Sequence, residues 1–247
     1  MAMIAACSWA VISAKTITGN LNVVPQPYSV TQDLEAAPFV INKSTIIAYP
    51  EGNAVMQRNA EFLASYIAKS CGFAPRVAPE SKAKRAIVLA VDAGIGNSEG
   101  YRLKCDKNGV IITGGSEVGV FYGIQTLYKS LPITKGTDNV AAVPVGEVND
   151  MPRFTYRGFM LDVGRHFYPV EYIKEVIDML AMHNINYFHW HLTEDQGWRI
   201  EIKKYPRLTE VGSVRKRTLI DQKTQTYDET PHSGYYTQEE AREVVAY

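Results

Sequence analysis

Apolar and polar positions follow two different periods along this chain, and the period changes most clearly between Arg157 and Trp198. Gly158 to Val163 is a short, nearly continuous apolar run, the pattern of a strand buried on both faces. Pro169 stands where a first helical residue would, with Glu171 in the first turn to complement the helix dipole. Val170, Ile173, Ile177, Leu180 and Ala181 then recur at helical spacing and make one apolar stripe. His183-Asn184 closes that helix, and Ile185 to Leu192 is a second run, aromatic and branched. The order predicts a βαβ unit with parallel strands, because only a crossover helix returns the chain in the same direction.

Upstream, Val40 to Tyr49 predicts a strand pair, and Gln57 to Ser70 a helix with Phe62, Leu63, Tyr66 and Ile67 on one side and its stop at Cys71-Gly72. Ala86 to Val91 reads as a buried strand, and Tyr101, Leu103 and Cys105 alternate as a half-buried one. Asn108-Gly109 turns that strand into Val110 to Thr113, and a helix runs from Glu117 to Leu131. The glycine pair in Gly114-Gly115-Ser116 has the form of an anion cradle, but no P-loop lysine or dinucleotide fingerprint accompanies it, so a plain strand-to-helix turn is expected. Residues 20–150 therefore read as an α/β domain of their own, with a linker at Pro132 to Asn139 and Asp150-Met151-Pro152 leading into a second domain. Beyond Trp198, Lys203 to Gly234 is polar and shows no periodicity, after which Thr237 and Glu240 form a capping box for a last helix.

Composition adds exclusions. The chain of 247 residues is 46% apolar and 21% charged with no net charge, which suits a soluble globular protein of one large domain or two ordinary ones. No basic run exceeds Arg215-Lys216-Arg217, so no nucleic-acid surface is expected, and no apolar stretch is long enough to span a bilayer. The opening MAMIAACSWAVISAK, taken as a leader-like segment at 1–19, has a secretory apolar region, and Ile4-Ala5-Ala6-Cys7 would pass as a lipoprotein signal. Export is expected, to the periplasm or to a lipid anchor at the bacterial cell surface; an ordinary apolar strand is the alternative. Cys71 and Cys105 lack metal-ligand spacing and are expected to be buried thiols.

The polar residues of the βαβ unit gather just past its strand ends, where parallel sheets and eight-stranded barrels collect their function. Gly164-Arg165-His166 comes after the first strand and Glu194-Asp195-Gln196-Gly197-Trp198 after the second. One arginine, two carboxylates and a tryptophan are thus expected on one rim, able to clamp hydroxyls with charge and stack a sugar face on a ring. Glu194 and Asp195 are adjacent on an extended stretch and should point apart, which suits one positioning and one structural role better than a cooperating acid and base. His189 and His191 alternate about Trp190 and face the same way, so an H-x-H pair ligating a divalent metal is a second reading. His166, His183 and His232 are not in ligand-like motifs, and packed core histidines are the plainer expectation.

The segments RGFMLDVGRHF and FHWHLTEDQGWRIEIKKYP resemble the first two strand ends of the family 20 glycoside hydrolases, the β-N-acetylhexosaminidases. GVFYGIQTLYKSLP is similar to part of the small domain that precedes their barrel. The resemblance implies an α/β chain: a small α+β domain at 20–150, then at 151–247 the first two βα units of a (β/α)8 TIM barrel that is incomplete here. It implies that Arg165 binds ring hydroxyls of the non-reducing-end sugar, with Glu194 and Asp195 as further substrate-binding residues and His191 and Trp198 in support. Glu194 stands where the family usually has an aspartate that organises a catalytic histidine. The implied partner is a glycan ending in β-linked N-acetylglucosamine or N-acetylgalactosamine, with no metal and no organic cofactor.

Family members use an Asp-Glu pair after the fourth strand. Its glutamate protonates the glycosidic oxygen, and its aspartate orients the substrate's acetamido group for attack on the anomeric carbon, giving an oxazolinium with retention. Asp228-Glu229 is adjacent but lies in a threonine-rich loop before Pro231, where a solvated turn is expected. The expectation is an N-terminal part of a longer enzyme, inactive alone; the alternatives are a non-catalytic carbohydrate-binding protein and a metal-dependent hydrolase using His189 and His191.

Overall fold

Short apolar or alternating runs become strands and stripes of period 3.6 become helices in the computed structural model, which describes residues 14–79 and 85–247. The leader-like residues 1–13 lie outside the described part. The chain divides into two units that meet in sequence at Arg153 and Phe154.

In the first unit the order is β1 (Thr16–Thr18), β2 (Ser29–Asp33), β3 (Phe39–Val40), β4 (Ile46–Tyr49), α1 (Ala54–Cys71), β5 (Arg76–Pro79), β6 (Ala86–Val91), β7 (Tyr101–Asp106), β8 (Gly109–Gly114), α2 (Glu117–Ser130), β9 (Val140–Val143) and β10 (Val145–Asp150). A mixed sheet runs β2-β10-β7-β8-β6-β4-β5, and β1, β9 and β3 form a second. Central β6 is parallel to both β4 and β8, while β7 and β8 make the expected hairpin, its turn held by Asp106 accepting the Asn108 and Gly109 amides.

Local chemistry sets both helix starts. Asn53 accepts the Val55 and Met56 amides at the head of α1, Gly72 ends that helix at φ 82, and Ser116 accepts the Val118 amide at the head of α2. Met56, Leu63 and Ile67 of α1 and Val120, Ile124 and Leu127 of α2 share one core with Ile47, Ile87, Leu89, Leu103 and Ile112 of the sheet. The two helices meet through stacked Tyr66 and Tyr128 rings 4.5 Å apart.

Two expectations change here, and the glycine turn is as expected. The pair predicted over Val40 to Tyr49 is two strands in different sheets, because β3 pairs with β9 and β4 lies between β5 and β6; periodicity marks a strand but not its partner. Thr16–Thr18, grouped by sequence with the leader-like segment, forms β1 parallel to β9. The Gly114-Gly115-Ser116 turn serves the fold: the Gly115 amide donates to Gly100 O, and a Cβ at Gly115 would collide with the Asn97 carbonyl oxygen. Cys71 and Cys105 are both free thiols, and burial pushes the Cys105 thiol up to about 12.

The second unit contains β11 (Gly158–Asp162), α3 (Val170–Met182), β12 (Tyr187–His191), β13 (Thr193–Glu194), β14 (Gly197–Trp198), α4 (Arg207–Glu210), β15 (Val214–Arg215), β16 (Leu219–Asp221), β17 (Thr226–Tyr227), β18 (His232–Ser233) and α5 (Gln238–Ala246). β11 and β12 are parallel with α3 as crossover, as the periods predict. Pro169 is the cap of α3 rather than its first residue, and Asn184 leaves the helix at φ 58. The core is Val163, Val170, Ile173, Tyr236 and Val244, and the capping box of Thr237 and Glu240 starts α5 as expected. Tyr236 is wholly buried, its ring 4.5 Å from Trp190 and its hydroxyl donating to Tyr168 O at 2.5 Å.

Two readings of this unit need correction. β11 is not covered on both faces: Phe159 and Met160 are 43% and 50% exposed, and His189 is exposed rather than packed in a core. Among the described residues β11 and β12 pair only with each other, so there is no neighbouring strand to bury those side chains. The aperiodic stretch from Lys203 to Gly234 is ordered, with α4 leading into a ribbon in which β15 pairs with β18 and β16 with β17. Its strands of two or three residues are too short to show an alternation. No helix among the described residues is long and apolar enough to cross a membrane.

Leu127 lies at the centre of the first unit with no exposed surface. Leu127→Ala should lower its unfolding free energy by about 2–5 kcal/mol through lost burial and the cavity left behind, read by urea denaturation.

Candidate functional site

The parallel register sets Asp162 opposite His191 at the carboxyl ends of β11 and β12. The amides of Val163 and Gly164 both donate to His191 O, at 3.1 and 3.2 Å, so the turn that carries Arg165 is pinned against the end of β12. Beyond β12 the chain doubles back as the β13–β14 hairpin, with Thr193 opposite Trp198 and Glu194 opposite Gly197. A Cβ on Gly164 would stand 2.9 Å from the Glu194 Cβ, so a glycine there lets the two turns close up.

Four side chains meet in that space. Arg165 Nη1 donates to Asp162 Oδ2 at 2.5 Å, and the Arg165 amide donates to Asp162 Oδ1 at 3.0 Å. Arg165 Nη2 lies 3.0 Å from Glu194 Oε2, and the same oxygen is 3.2 Å from His191 Nε2. Glu194 thus spans the arginine and a strand histidine with a single oxygen. The partners are half-buried while 54% of the Arg165 side chain stays exposed, so the guanidinium is fixed at its root and open at its face.

Burial by itself would raise the Asp162 carboxyl, but hydrogen bonds from the Arg165 amide and guanidinium outweigh it and hold the group below its ordinary range. The hydrogen bond to Asp162, aided by the charges of Glu194 and Asp195, raises the Arg165 guanidinium in turn. Asp195 is exposed and acts on Arg165 through its charge. An arginine set among three carboxylates keeps its planar fork aimed while leaving an outward face for the hydroxyls of a neutral ligand.

Trp198 is anchored elsewhere. Its indole donates to Ile200 O at 2.7 Å and its amide to Gly212 O at 2.9 Å, which ties the hairpin to the end of α4. His189 and His191 do face the same way, with ring centroids 5.8 Å apart. Among the described residues no three His, Cys, Asp or Glu side chains are grouped to hold a metal.

Sequence reasoning missed three participants. Asp162 sits inside an apolar run and is masked by it, although a lone acid three residues before an arginine is a usable signal. Arg199 is fully buried and donates to Gly164 O, which nothing in its neighbourhood along the chain announces. His232, 65 residues after Phe167, accepts the Phe167 amide at 2.9 Å on Nε2 and stacks on His166 at 4.3 Å. The turn from Gly164 to Phe167 is thereby gripped at both ends.

Comparison with known proteins gives a consistent result. The profile described as "Glycosyl hydrolase family 20, catalytic domain" matches residues 154–247, and "Glycosyl hydrolase family 20, domain 2" matches residues 20–151. A beta-hexosaminidase of Porphyromonas gingivalis is 44% identical over 92% of this chain and 28% of its own length, and one of Vibrio furnissii is 42% identical over 60% of this chain and 24% of its own. The chain thus spans about a quarter of the curated relatives it matches. Among solved structures, the Vibrio harveyi exo beta-N-acetylglucosaminidase in complex with N-acetylglucosamine aligns at TM-score 0.77 with 29% identity, covering 97% of this chain and 35% of that one. A mutant Streptomyces plicatus beta-hexosaminidase in complex with its product aligns at 0.76 with 32% identity, covering 95% and 45%.

His232 supplies a pH test of the grip on this turn. Burial, then the charges of Arg215, His166 and Arg199, hold its ring down at about 4 against an ordinary 6.5, with Asp228 opposing them. The fold keeps the ring neutral, while the unfolded chain takes up a proton below about 6.5. Stability should therefore fall as pH drops from about 6.5 to about 4 and level off below, a loss that melting curves should show to be smaller in His232→Asn.

Proposed function

Since the chain belongs to glycosyl hydrolase family 20, we propose that the protein is an exo-acting hydrolase removing terminal β-linked N-acetylhexosamine from glycans. The observation that carries this reading is the Arg165 cluster. A half-exposed guanidinium, held by Asp162 and Glu194 at the carboxyl ends of two parallel strands, is preorganised to donate to sugar hydroxyls without rearranging. The N-acetylglucosamine bound to the Vibrio harveyi and Streptomyces plicatus enzymes supports the same sugar here.

In this reading β11 and β12 begin an eight-stranded barrel, and Arg165 holds the outer hydroxyls of the non-reducing-end sugar. Glu194, bridging Arg165 and His191, keeps that arginine in register. Chemistry is substrate-assisted and retaining: the acetamido oxygen attacks the anomeric carbon as a glutamic acid protonates the leaving oxygen. Asp228 and Glu229 do not serve as the acidic pair. Asp228 is engaged by the Thr218 and Thr230 amides and Glu229 by Arg217, all within the exposed ribbon. These 247 residues therefore supply the sugar-holding side of the site and not the acid, and by themselves bind without turnover. Binding without any catalysis in the whole protein is the competing reading.

Hydrolysis of a chromogenic β-N-acetylglucosaminide separates the two, measured on the 247-residue chain and on a protein in which these residues head a complete family 20 catalytic domain. Turnover by the complete domain alone is expected. Within it, Arg165→Ala should lower kcat/KM roughly 10–100-fold, the usual range for losing hydrogen bonds from a charged donor, with little loss of folding. Undiminished turnover by Arg165→Ala would overturn the assignment, and turnover by the short chain would move the chemistry to Glu194 and Asp195.

A further inference from the structure

We propose that Arg199 is the positioning residue of the Arg165 rim, holding in one orientation the backbone from which Arg165 projects and closing the base of the ribbon at residues 214–233. Arg199 is among the largest fully buried side chains of the protein and has no exposed surface. Its hydrogen bonds all go to main-chain carbonyls in three separate stretches of chain. Nε donates to Val163 O at 3.1 Å and Gly164 O at 3.2 Å, and Nη2 to Gly164 O at 3.1 Å. Nη1 donates to Ser213 O at 2.6 Å and Gly234 O at 2.9 Å, the residues that flank the ribbon on either side.

The consequence for Arg165 comes from the geometry of one peptide group. Gly164 O and the Arg165 amide belong to the same rigid plane. Arg199 grips the oxygen with two donors, and Asp162 accepts the amide at 3.0 Å. With both ends of the plane held, the direction in which the Arg165 side chain leaves the backbone is set. Next along the turn, the Phe167 amide is held by His232, one residue from Ser233 and two from the Gly234 carbonyl that Arg199 also takes. One guanidinium therefore registers the ribbon against the turn.

Space for it is made by a glycine. A Cβ on Gly197 would collide with Arg199 Nη2 and lie 2.6 Å from Gly164 O, so any side chain there would wedge the guanidinium off its carbonyls. Lysine would not replace this residue, because three donors on one nitrogen do not reach carbonyls arranged around a planar fork.

Amide hydrogen exchange on the 247-residue chain tests the proposal without any turnover. In Arg199→Lys, and separately in Gly197→Ala, the Arg165 and Phe167 amides and those of β15 and β18 should exchange about tenfold faster or more, with α3 and β6–β8 unchanged. No change at Arg165 and Phe167, or an equal rise throughout α3 and β12, would overturn it, the latter meaning only general loosening. Gly197→Ala keeps the guanidinium and displaces it, so it still reads out if Arg199→Lys fails to fold. A second arm rests on the reading of Arg165 as the sugar-holding residue. In the complete catalytic domain Arg199→Lys should raise KM about tenfold with kcat within about threefold, and add less than about twofold to the loss in Arg165→Ala. Additive losses would refute positioning; a wild type inactive on the N-acetylglucosaminide would refute the sugar reading instead and leave the exchange result standing.

Discussion

An ionised side chain shut away from water has to be answered by oxygen atoms wherever the chain can supply them, and around Arg199 that demand organises the second unit. The oxygens come from Val163, Gly164, Ser213 and Gly234, positions as much as 71 residues apart in number, 234 less 163. Satisfying them brings together the end of β11, the segment after α4 and the return of the ribbon. Its own backbone joins in, since the Arg199 amide donates to Leu192 O and its carbonyl accepts the Tyr236 amide at 2.7 Å. Tyr236 then carries the tie into the core beside Trp190 and Phe167. Burial and the nearby Arg215 both pull the Arg199 guanidinium below its ordinary value, which marks how far the site is from water.

The two arginines of this region divide the work by exposure. Arg199 spends its donors on backbone oxygen and meets no solvent, while Arg165 leans on carboxylates from behind and keeps its face open. Backbone carbonyls bring no countercharge, so Arg199 is a joint; carboxylates do, so Arg165 can be aimed and still be available to a ligand. The glycines at 164 and 197 make both arrangements possible by letting the hairpin approach the turn more closely than any Cβ would allow.

The first unit is built on a plainer principle. Its helices bury apolar stripes on one sheet, its ends are capped by Asn53, Ser116 and Gly72, and its glycine-rich turn is committed to packing. Polar groups in its interior are paired locally, as with the Tyr101 hydroxyl against Thr126 at 2.6 Å and Asp150 at 3.1 Å. Its two helices and the strands β6, β7 and β8 were legible from periodicity, while β1, β2, β5, β9 and β10, short or at the sheet margins, were not.

Legible along the chain were features coded over a few neighbouring residues: the βαβ order, the capping box at Thr237, the hairpin at Asn108-Gly109, and the motif residues Arg165, Glu194 and His191 that do meet. Period and turn chemistry act over one or two turns of chain, so such features survive without knowledge of the rest. Which strand lies beside which, as with β3 and β4, and which residues are exposed, as with Phe159 and His189, came from contacts distant in the chain. Such contacts also decided that a basic residue after Trp198 would be buried, that a polar stretch would fold as a ribbon, and that His232 would reach Phe167. Those outcomes depend on oxygen atoms and apolar faces supplied from dozens of residues away, and no local pattern records where they come from.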